Sequence, residues 1–264
     1  MASILDRYGI KEVADVTFYE LNANGTPGAP VLYLDTLKVS TIEQTAEEAE
    51  ARGGKGNAAL IAWDYGKEIT VTLEDALFSA KSMAIMFGNG QVTEENKVLK
   101  TVHFVGNNKP THWEAPNGDK IAIPDSAKCY DGKGEEVSAF EDNMRYFCTF
   151  EVEVEGQAIE ISANSFPGTY YVTGDTYARN ENSGADEFFQ FIIPRAKVTS
   201  ENTITLEAEG DPSVFNMNLK VLRPADGIMM KLVKYDLTDD AGENAEDVTV
   251  DLIHNHILTP ANEG

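Results

Sequence analysis

Four stretches of this chain change character at every residue, and that period of two constrains the fold more than any other feature. Phe150, Val152 and Val154 alternate with Glu151, Glu153 and Glu155, and Ile69, Val71 and Leu73 alternate with Thr70 and Thr72. Ile204, Leu206 and Ala208 alternate with Thr205 and Glu207, and Phe215, Met217, Leu219 and Val221 with Asn216, Asn218 and Lys220. Successive side chains of a strand point to opposite faces, so each stretch reads as a strand with one buried and one wetted face. Phe188 to Ile193 (FFQFII) is apolar except at Gln190, which predicts a strand covered on both sides. With a turn at GDPS before Val214, the strands from Phe150 onward read as an antiparallel meander. The expected fold is mainly β: two packed antiparallel sheets, as a sandwich or barrel, with long loops.

One short helix is expected to flank the sheets. Ser79 suits an N-cap, Met83, Met86 and Phe87 recur at helical spacing, and Gly88 can supply a left-handed residue at the C-terminus. Val31 to Ile42 reads as a strand, and the polar segment Glu43 to Glu50 leads into a glycine-rich loop. Residues 89–147, rich in Gly, Asn, Asp and Pro, read as a loop-rich insertion bearing a hairpin, and residues 236–251 as an acidic loop before a final strand through Val248, Val250 and Leu252. The expectation is one domain over residues 1–264.

Charge narrows the function. With 21 basic and 44 acidic residues the net charge is -23, so the field repels a polyanion and tight nucleic-acid binding is disfavoured. Passage of DNA without binding is compatible with such a wall. Cys129 and Cys148 are too few for a disulfide framework and are read as reduced. No apolar run marks a signal peptide or a membrane span, which predicts a soluble protein made in a cytoplasm.

The candidate chemistry mostly fails on context. The loop Glu50 to Asn57, EARGGKGN, invites a phosphate, but a phosphate cradle needs GxxxxGK[ST] and a following helix; here Gly56 and Asn57 follow Lys55, and the next element is a strand. Its glycines read instead as freedom for close backbone approach. His103 and His112 stand apart, and His254 with His256 lack a completing ligand. The acidic runs from Asp131 and Asp239 lack the EF-hand order, which leaves Asp239, Asp240 and Glu243 as a candidate calcium set. Trp63, Trp113, Tyr170 and Tyr171 are candidates for a sugar platform or for core. No GxSxG or SxxK motif is present, so no enzyme, cofactor or resident metal is expected.

Two runs, RGGKGNAALIAWDYGKEITVTLEDALFSAKSMAIMFG (Arg52 to Gly88) and TYARNENSGADEFFQFIIPRAKVTSENTITLEAEGDPSVFNMNLKVLRP (Thr176 to Pro224), resemble major tail tube proteins and related virion structural proteins of tailed bacteriophages. The resemblance implies a two-sheet sandwich with a flanking helix. It implies six copies in a ring whose inner sheets join as a β-barrel, with rings stacked into a tube that conducts DNA. It also implies a long loop between early strands that reaches the next ring. Ile42 to Leu60 occupies that place, making Arg52, Gly53, Gly54, Lys55, Gly56 and Asn57 the expected inter-ring contact. Glu151, Glu153, Glu155, Asn216 and Asn218 are the expected lumen-facing residues. The implied partners are the chain itself, sheath, terminator or baseplate proteins, and DNA as transient cargo, without a membrane. The alternatives are an accessory tail component of the same fold (terminator, baseplate or decoration protein) and a calcium-dependent extracellular hydrolase.

Overall fold

Alternating apolar residues can only be dried if the strands that carry them share a core, and here one face of almost every long strand does so. The computed structural model describes residues 7–88, 90–200, 204 and 214–235. In chain order come β1 (Tyr8–Ile10), β2 (Asp15–Leu21), β3 (Pro27–Leu34), β4 (Leu37–Gly53), β5 (Ala58–Asp75) and the helix α1 (Ala80–Phe87). They are followed by β6 (Thr93–Val105), β7 (His112–Glu114), β8 (Lys120–Ala122), β9 (Lys128–Tyr130) and β10 (Arg145–Ala158). The last elements are β11 (Thr169–Asn180), β12 (Asp186–Val198), β13 (Phe215–Val221) and β14 (Lys231–Tyr235).

Nine strands form the main sheet, in the order β3-β2-β11-β12-β13-β5-β4, with β1 added to β11 and β14 to β12. All these pairings are antiparallel. β12 changes neighbours along its length: Phe188 to Ile192 pair with β14, and Ala196 to Val198 with β13. Pro194, which has no N–H to give a ladder, sits at this changeover. The two edge strands, β3 and β4, are joined by only Asp35 and Thr36, so the sheet curls until its edges approach. It does not close into a hydrogen-bonded barrel among the described residues.

The join is fixed by a buried carboxylate. Asp75 is 7% exposed; the Thr36 hydroxyl donates to its Oδ1 at 2.5 Å and the Leu77 N–H at 3.2 Å. The Ala76 N–H donates in turn to the Thr36 carbonyl at 3.1 Å. These donors replace the water that burial removes from the carboxylate.

Inside the curl lie Val16 and Phe18 of β2, Leu34 of β3, Val71 and Leu73 of β5, Val172 of β11, Ile193 of β12 and Leu219 of β13. Phe18 meets Tyr170 edge-on at 5.9 Å. The helix adds Ile85 and Met86 to this core. Ser79 caps it in a capping box with Ser82, as its sequence predicts. The left-handed residue is not Gly88 (φ -147°) but Gly90 (φ +78°), whose N–H donates to the Ala84 carbonyl at 3.0 Å.

The insertion holds more structure than its composition suggests, because β10 belongs to it. β6, β10 and β9 form a separate three-stranded sheet, and β7 with β8 a two-stranded one. The strand of Phe150, Val152 and Val154 is therefore not part of the expected meander; alternation reports which face is buried, not which strand is the partner. Its apolar side packs with Val102 and Ile123 in a second, smaller core. Where the sequence predicts reduced cysteines, Cys129 and Cys148 form a disulfide. They face each other directly across β9 and β10, with Cα atoms 4.0 Å apart, which a count of two cysteines cannot foresee. Asp131 of the acidic run closes a turn: its Oδ1 accepts the N–H groups of Lys133 and Glu135 at 2.8 and 3.0 Å. Those bonds, Glu135 first, hold its carboxyl below the usual carboxylate range. The strand through Ile204 lies mostly outside the described residues, and the acidic loop and final strand lie wholly outside them.

Gly174 is where the core is tightest. It faces Phe191 across β11 and β12, and a Cβ built on it would lie 2.1 Å from the Phe191 ring. Gly132 has nothing within 4 Å of such a Cβ. Gly174→Ala is expected to displace Phe191 and to destabilise the fold by about 1–3 kcal/mol, whereas Gly132→Ala leaves stability within about 0.5 kcal/mol. Denaturant unfolding of the two variants beside the parent measures the difference.

Candidate assembly interface

β4 and β5 are far longer than the sheet needs. They have 17 and 18 residues, against a common strand length of about 5–6, and at about 3.3 Å per residue β5 alone spans roughly 60 Å. Only Ile69 to Asp75 of β5 alternates into the core; every residue from Ala58 to Glu68 is exposed, as is every residue of β4 from Thr41 to Glu50. The expected polar segment and glycine-rich loop are thus a two-stranded ribbon paired to its tip, from Thr45–Glu68 out to Gly53–Ala58.

The glycines of EARGGKGN make the turn that ends it. Gly54, Gly56 and Asn57 have φ of +76°, +86° and +51°, and the Asn57 N–H donates to the Gly54 carbonyl at 3.2 Å. Their role is conformational: this turn needs left-handed residues. Arg52 pairs with Glu50 on its own strand, and Lys55 stands exposed at the apex.

The ribbon has two unlike faces. Glu47 faces Tyr65, Ala49 faces Trp63 and Ala51 faces Ile61; in the alternate register Glu48 faces Asp64 and Glu50 faces Ala62. Directly opposed residues share a face, so Ile61, Trp63, Tyr65, Ala49 and Ala51 form one largely apolar face that also carries Glu47, and Glu48, Glu50 and Asp64 form an acidic face on which Arg52 pairs with Glu50. Ile61, Trp63 and Tyr65 are 53%, 54% and 52% exposed. On the acidic face a hydrogen bond with Glu50 pushes the Glu48 carboxyl above its ordinary value, and the charges of Glu50 and Asp64 add to this.

A bulge sets which way these faces point. Glu68 is opposite Thr45 and Tyr65 opposite Glu47, so two residues of β5 oppose one of β4, and Gly66 at the irregularity has φ +62°. The extra residue exchanges faces. Ile61, Trp63 and Tyr65 therefore continue the outer face carrying Glu68, Thr70 and Thr72, not the core face of Ile69, Val71 and Leu73. The signal for this apolar face was in the sequence, as alternation through Ile61, Trp63 and Tyr65, but the run joins Ile69 in phase and reads as one buried face.

The expected lumen residues fall on two sheets. Asn216 and Asn218 lie on the outer face of the main sheet, where Asn218 Oδ1 accepts the Thr72 hydroxyl at 3.0 Å. Glu151, Glu153 and Glu155 lie on the exposed face of the inserted sheet, with Lys97 3.6 Å from Glu151. The structure does not bring the two groups together. Nor does it assemble a sugar platform: Tyr170 is in the main core, Tyr171 faces Tyr19, Trp113 lies under Lys100, and Trp63 is on the ribbon.

Other polar groups are engaged locally. In the crevice beside β1 and β11, Arg179 holds Asp186 through two bonds of 2.7 and 2.6 Å, and Gln190 donates to Asp175 at 2.7 Å. Tyr33 donates to Asp15, and burial first, then Asp15 and Asp35, push its phenol upward. His103 lies against the Phe147 ring, and His112 shares a hydrogen bond with Thr111. Among the described residues no three His, Cys, Asp or Glu side chains are grouped to hold a metal ion. Asp239, Asp240, Glu243, His254 and His256 lie outside the described residues. No described helix is long and apolar enough to cross a membrane.

What stands out is a long ribbon with an exposed aromatic face. No curated protein matches the sequence. A family model described as the YomU/Tube protein family matches residues 8–233, which takes in the ribbon, both cores and the inserted sheet, and the chain belongs to that family.

Proposed function

We propose that this protein is the subunit of a phage tail tube: identical copies form rings, six to a ring, and the rings stack into a conduit for DNA. One observation carries the reading: the ribbon of β4 and β5, which leaves the body with an aromatic face that is exposed among the described residues. Exposed aromatic clusters of this kind mark protein contacts, and in a family of tube proteins the partner at hand is another copy. The wetted outer face of the main sheet, with Asn216 and Asn218, suits a water-filled wall, and the net charge of -23 keeps passing DNA from adhering. Sheath, terminator or baseplate proteins would meet the tube at its surface and ends, and the protein would reside in the virion tail.

Replacing Ile61 and Trp63 with Glu is expected to abolish tubes in electron micrographs of the concentrated protein, with the unfolding midpoint of the monomer unchanged because both side chains are solvated in it. Tubes of normal length from that variant would sink the reading. Arg52→Glu with Lys55→Glu is a milder change. It reverses the only basic end of an otherwise acidic arm, and should raise the concentration needed for stacking on the order of tenfold, about 1.4 kcal/mol. Sedimentation of tubes against protein concentration measures it.

The disulfide-closed inserted sheet, with Glu151, Glu153 and Glu155 on its exposed face, favours a second reading as an accessory tail component of the same fold. Copy number decides between them. A tube subunit is expected among the most abundant proteins of a purified particle; a few copies per particle would select the accessory role.

A further inference from the structure

A three-stranded sheet with a small core needs more than apolar burial to hold it, and the inserted sheet carries a covalent fastening. Among the described residues no ladder joins β6, β10 and β9 to the main sheet, and the two buried clusters share no residue: Val102, Ile123 and Phe150 in the insert, twenty residues in the body. So few buried side chains stabilise a unit of this size only marginally. Val102 and Phe150 lie on the paired strands β6 and β10, and Ile123 reaches them from the segment ahead of β9, with Trp113 and Ala127 beside it. This covering segment makes local bonds: the Ile123 N–H donates to the Thr111 carbonyl at 2.9 Å and Lys109 Nζ to the Pro124 carbonyl at 2.9 Å. Its ladder to β10 has three residue pairs, Lys128–Thr149, Cys129–Cys148 and Tyr130–Phe147, and the disulfide is the middle one.

We propose that Cys129–Cys148 is a redox latch for the insert alone: closed, it holds β9 and the Ile123 segment on β10; reduced, it releases them, while the main sheet and its ribbon keep their structure. Such a latch operates whether or not copies assemble into a tube. Both cysteines are buried, at 3% and 0% exposure, so a reductant reaches the sulfurs only when the covering segment lifts, and the latch responds through local opening. The oxidant that closes it is a low-molecular-weight disulfide, RSSR. One cysteine thiolate attacks RSSR, forming a mixed disulfide and releasing one thiolate. The second cysteine thiolate attacks the protein sulfur of that mixed disulfide and releases the other, so two electrons pass to RSSR and the two thiol protons to the released thiolates or solvent. The latch also governs a surface. Successive residues alternate faces, so Tyr130 and Phe147 point away from the sulfurs. Tyr130 stacks on Phe147 at 5.2 Å, and His103 lies against Phe147 from β6 at 5.9 Å. The closed form assembles this row across three strands, and the open form loses Tyr130 from it.

Hydrogen–deuterium exchange on the full chain tests the latch, before and after reduction with tris(2-carboxyethyl)phosphine, while alkylation and mass measurement count the free thiols. Exchange across residues 109–130 is expected to quicken on the order of a hundredfold, as for removal of a cross-link that closes a loop of this length. Strands β2, β5, β11 and β13 are expected to exchange as before, and oxidised glutathione to restore slow exchange in the insert. Complete reduction with the insert still protected overturns the latch. Loss of protection in the main sheet along with the insert overturns its restriction to the insert, and failure of oxidised glutathione to re-close the bond overturns its reversibility. Should the folded protein resist the reductant, Cys129→Ala with Cys148→Ala takes the place of the reduced form, and the same comparison of insert with main sheet decides.

Discussion

The burial of Ile69, Val71 and Leu73 is the interaction on which the rest of this structure depends. Each fully buried aliphatic side chain contributes about 1.5–3 kcal/mol, and here they clamp one short stretch of a very long strand between β4 and β13. A two-stranded ribbon is at best marginally stable on its own in water. This one starts from the register set by the clamp and stays paired, with shifts at the Gly66 bulge and between Ala51 and Arg52, to the turn at Gly54–Asn57. At the other end the same clamp delivers Asp75, whose hydrogen bonds shape the turn bearing Leu77 and Phe78. A loss of packing at Leu73 would reach both the ribbon and this turn, because both are extensions of one anchored strand.

Much of this was legible in the sequence and some was not, for identifiable reasons. The strands through Ile69, Phe150, Phe188 and Phe215, and the helix from its Ser79 cap, follow from local rules of period and capping. Partners do not. Phe150 to Val154 alternates as regularly as Phe215 to Val221, yet one strand belongs to the inserted sheet and the other to the main one, since pairing is decided by contacts far apart in sequence. The ribbon was hidden by its composition: Glu43 to Glu50 carries no hydrophobic stripe, and its strand state comes from the ladder to β5 rather than from its own propensity. The bulge was hidden by phase. Ile61, Trp63, Tyr65, Ile69, Val71 and Leu73 all fall on odd positions, and only a register measured against β4 reveals that the face changes between Tyr65 and Glu68.

The glycine-rich loop shows the same lesson at smaller scale. Its sequence excludes a phosphate cradle, because a strand follows where a helix would be needed. The structure makes the loop a defined turn, whose left-handed residues Gly54, Gly56 and Asn57 place Lys55 at its apex. The cysteines depart from the sequence reading for a different reason: 19 residues of separation become a directly opposed pair once β9 lies beside β10.

A chain of net charge -23 repels copies of itself, and that repulsion bears on how specific the proposed assembly is. Surface charges act over a Debye length of about 8–10 Å at physiological salt, so random encounters between two such subunits bring like charges together and are unproductive. Association must then occur where apolar area is exposed and local charge is of opposite sign. The ribbon meets the first condition on the face of Ile61, Trp63 and Tyr65, and its tip, where Lys55 stands exposed, offers a cation for the second. The acidic face of the ribbon contributes as well: Glu50 and Asp64 beside Glu48 push its carboxyl upward, and docking with that face would desolvate three carboxylates, with Arg52 already paired to Glu50. One face attracts and the other forbids, so the ribbon's twofold pattern of side chains sets the orientation of each proposed contact.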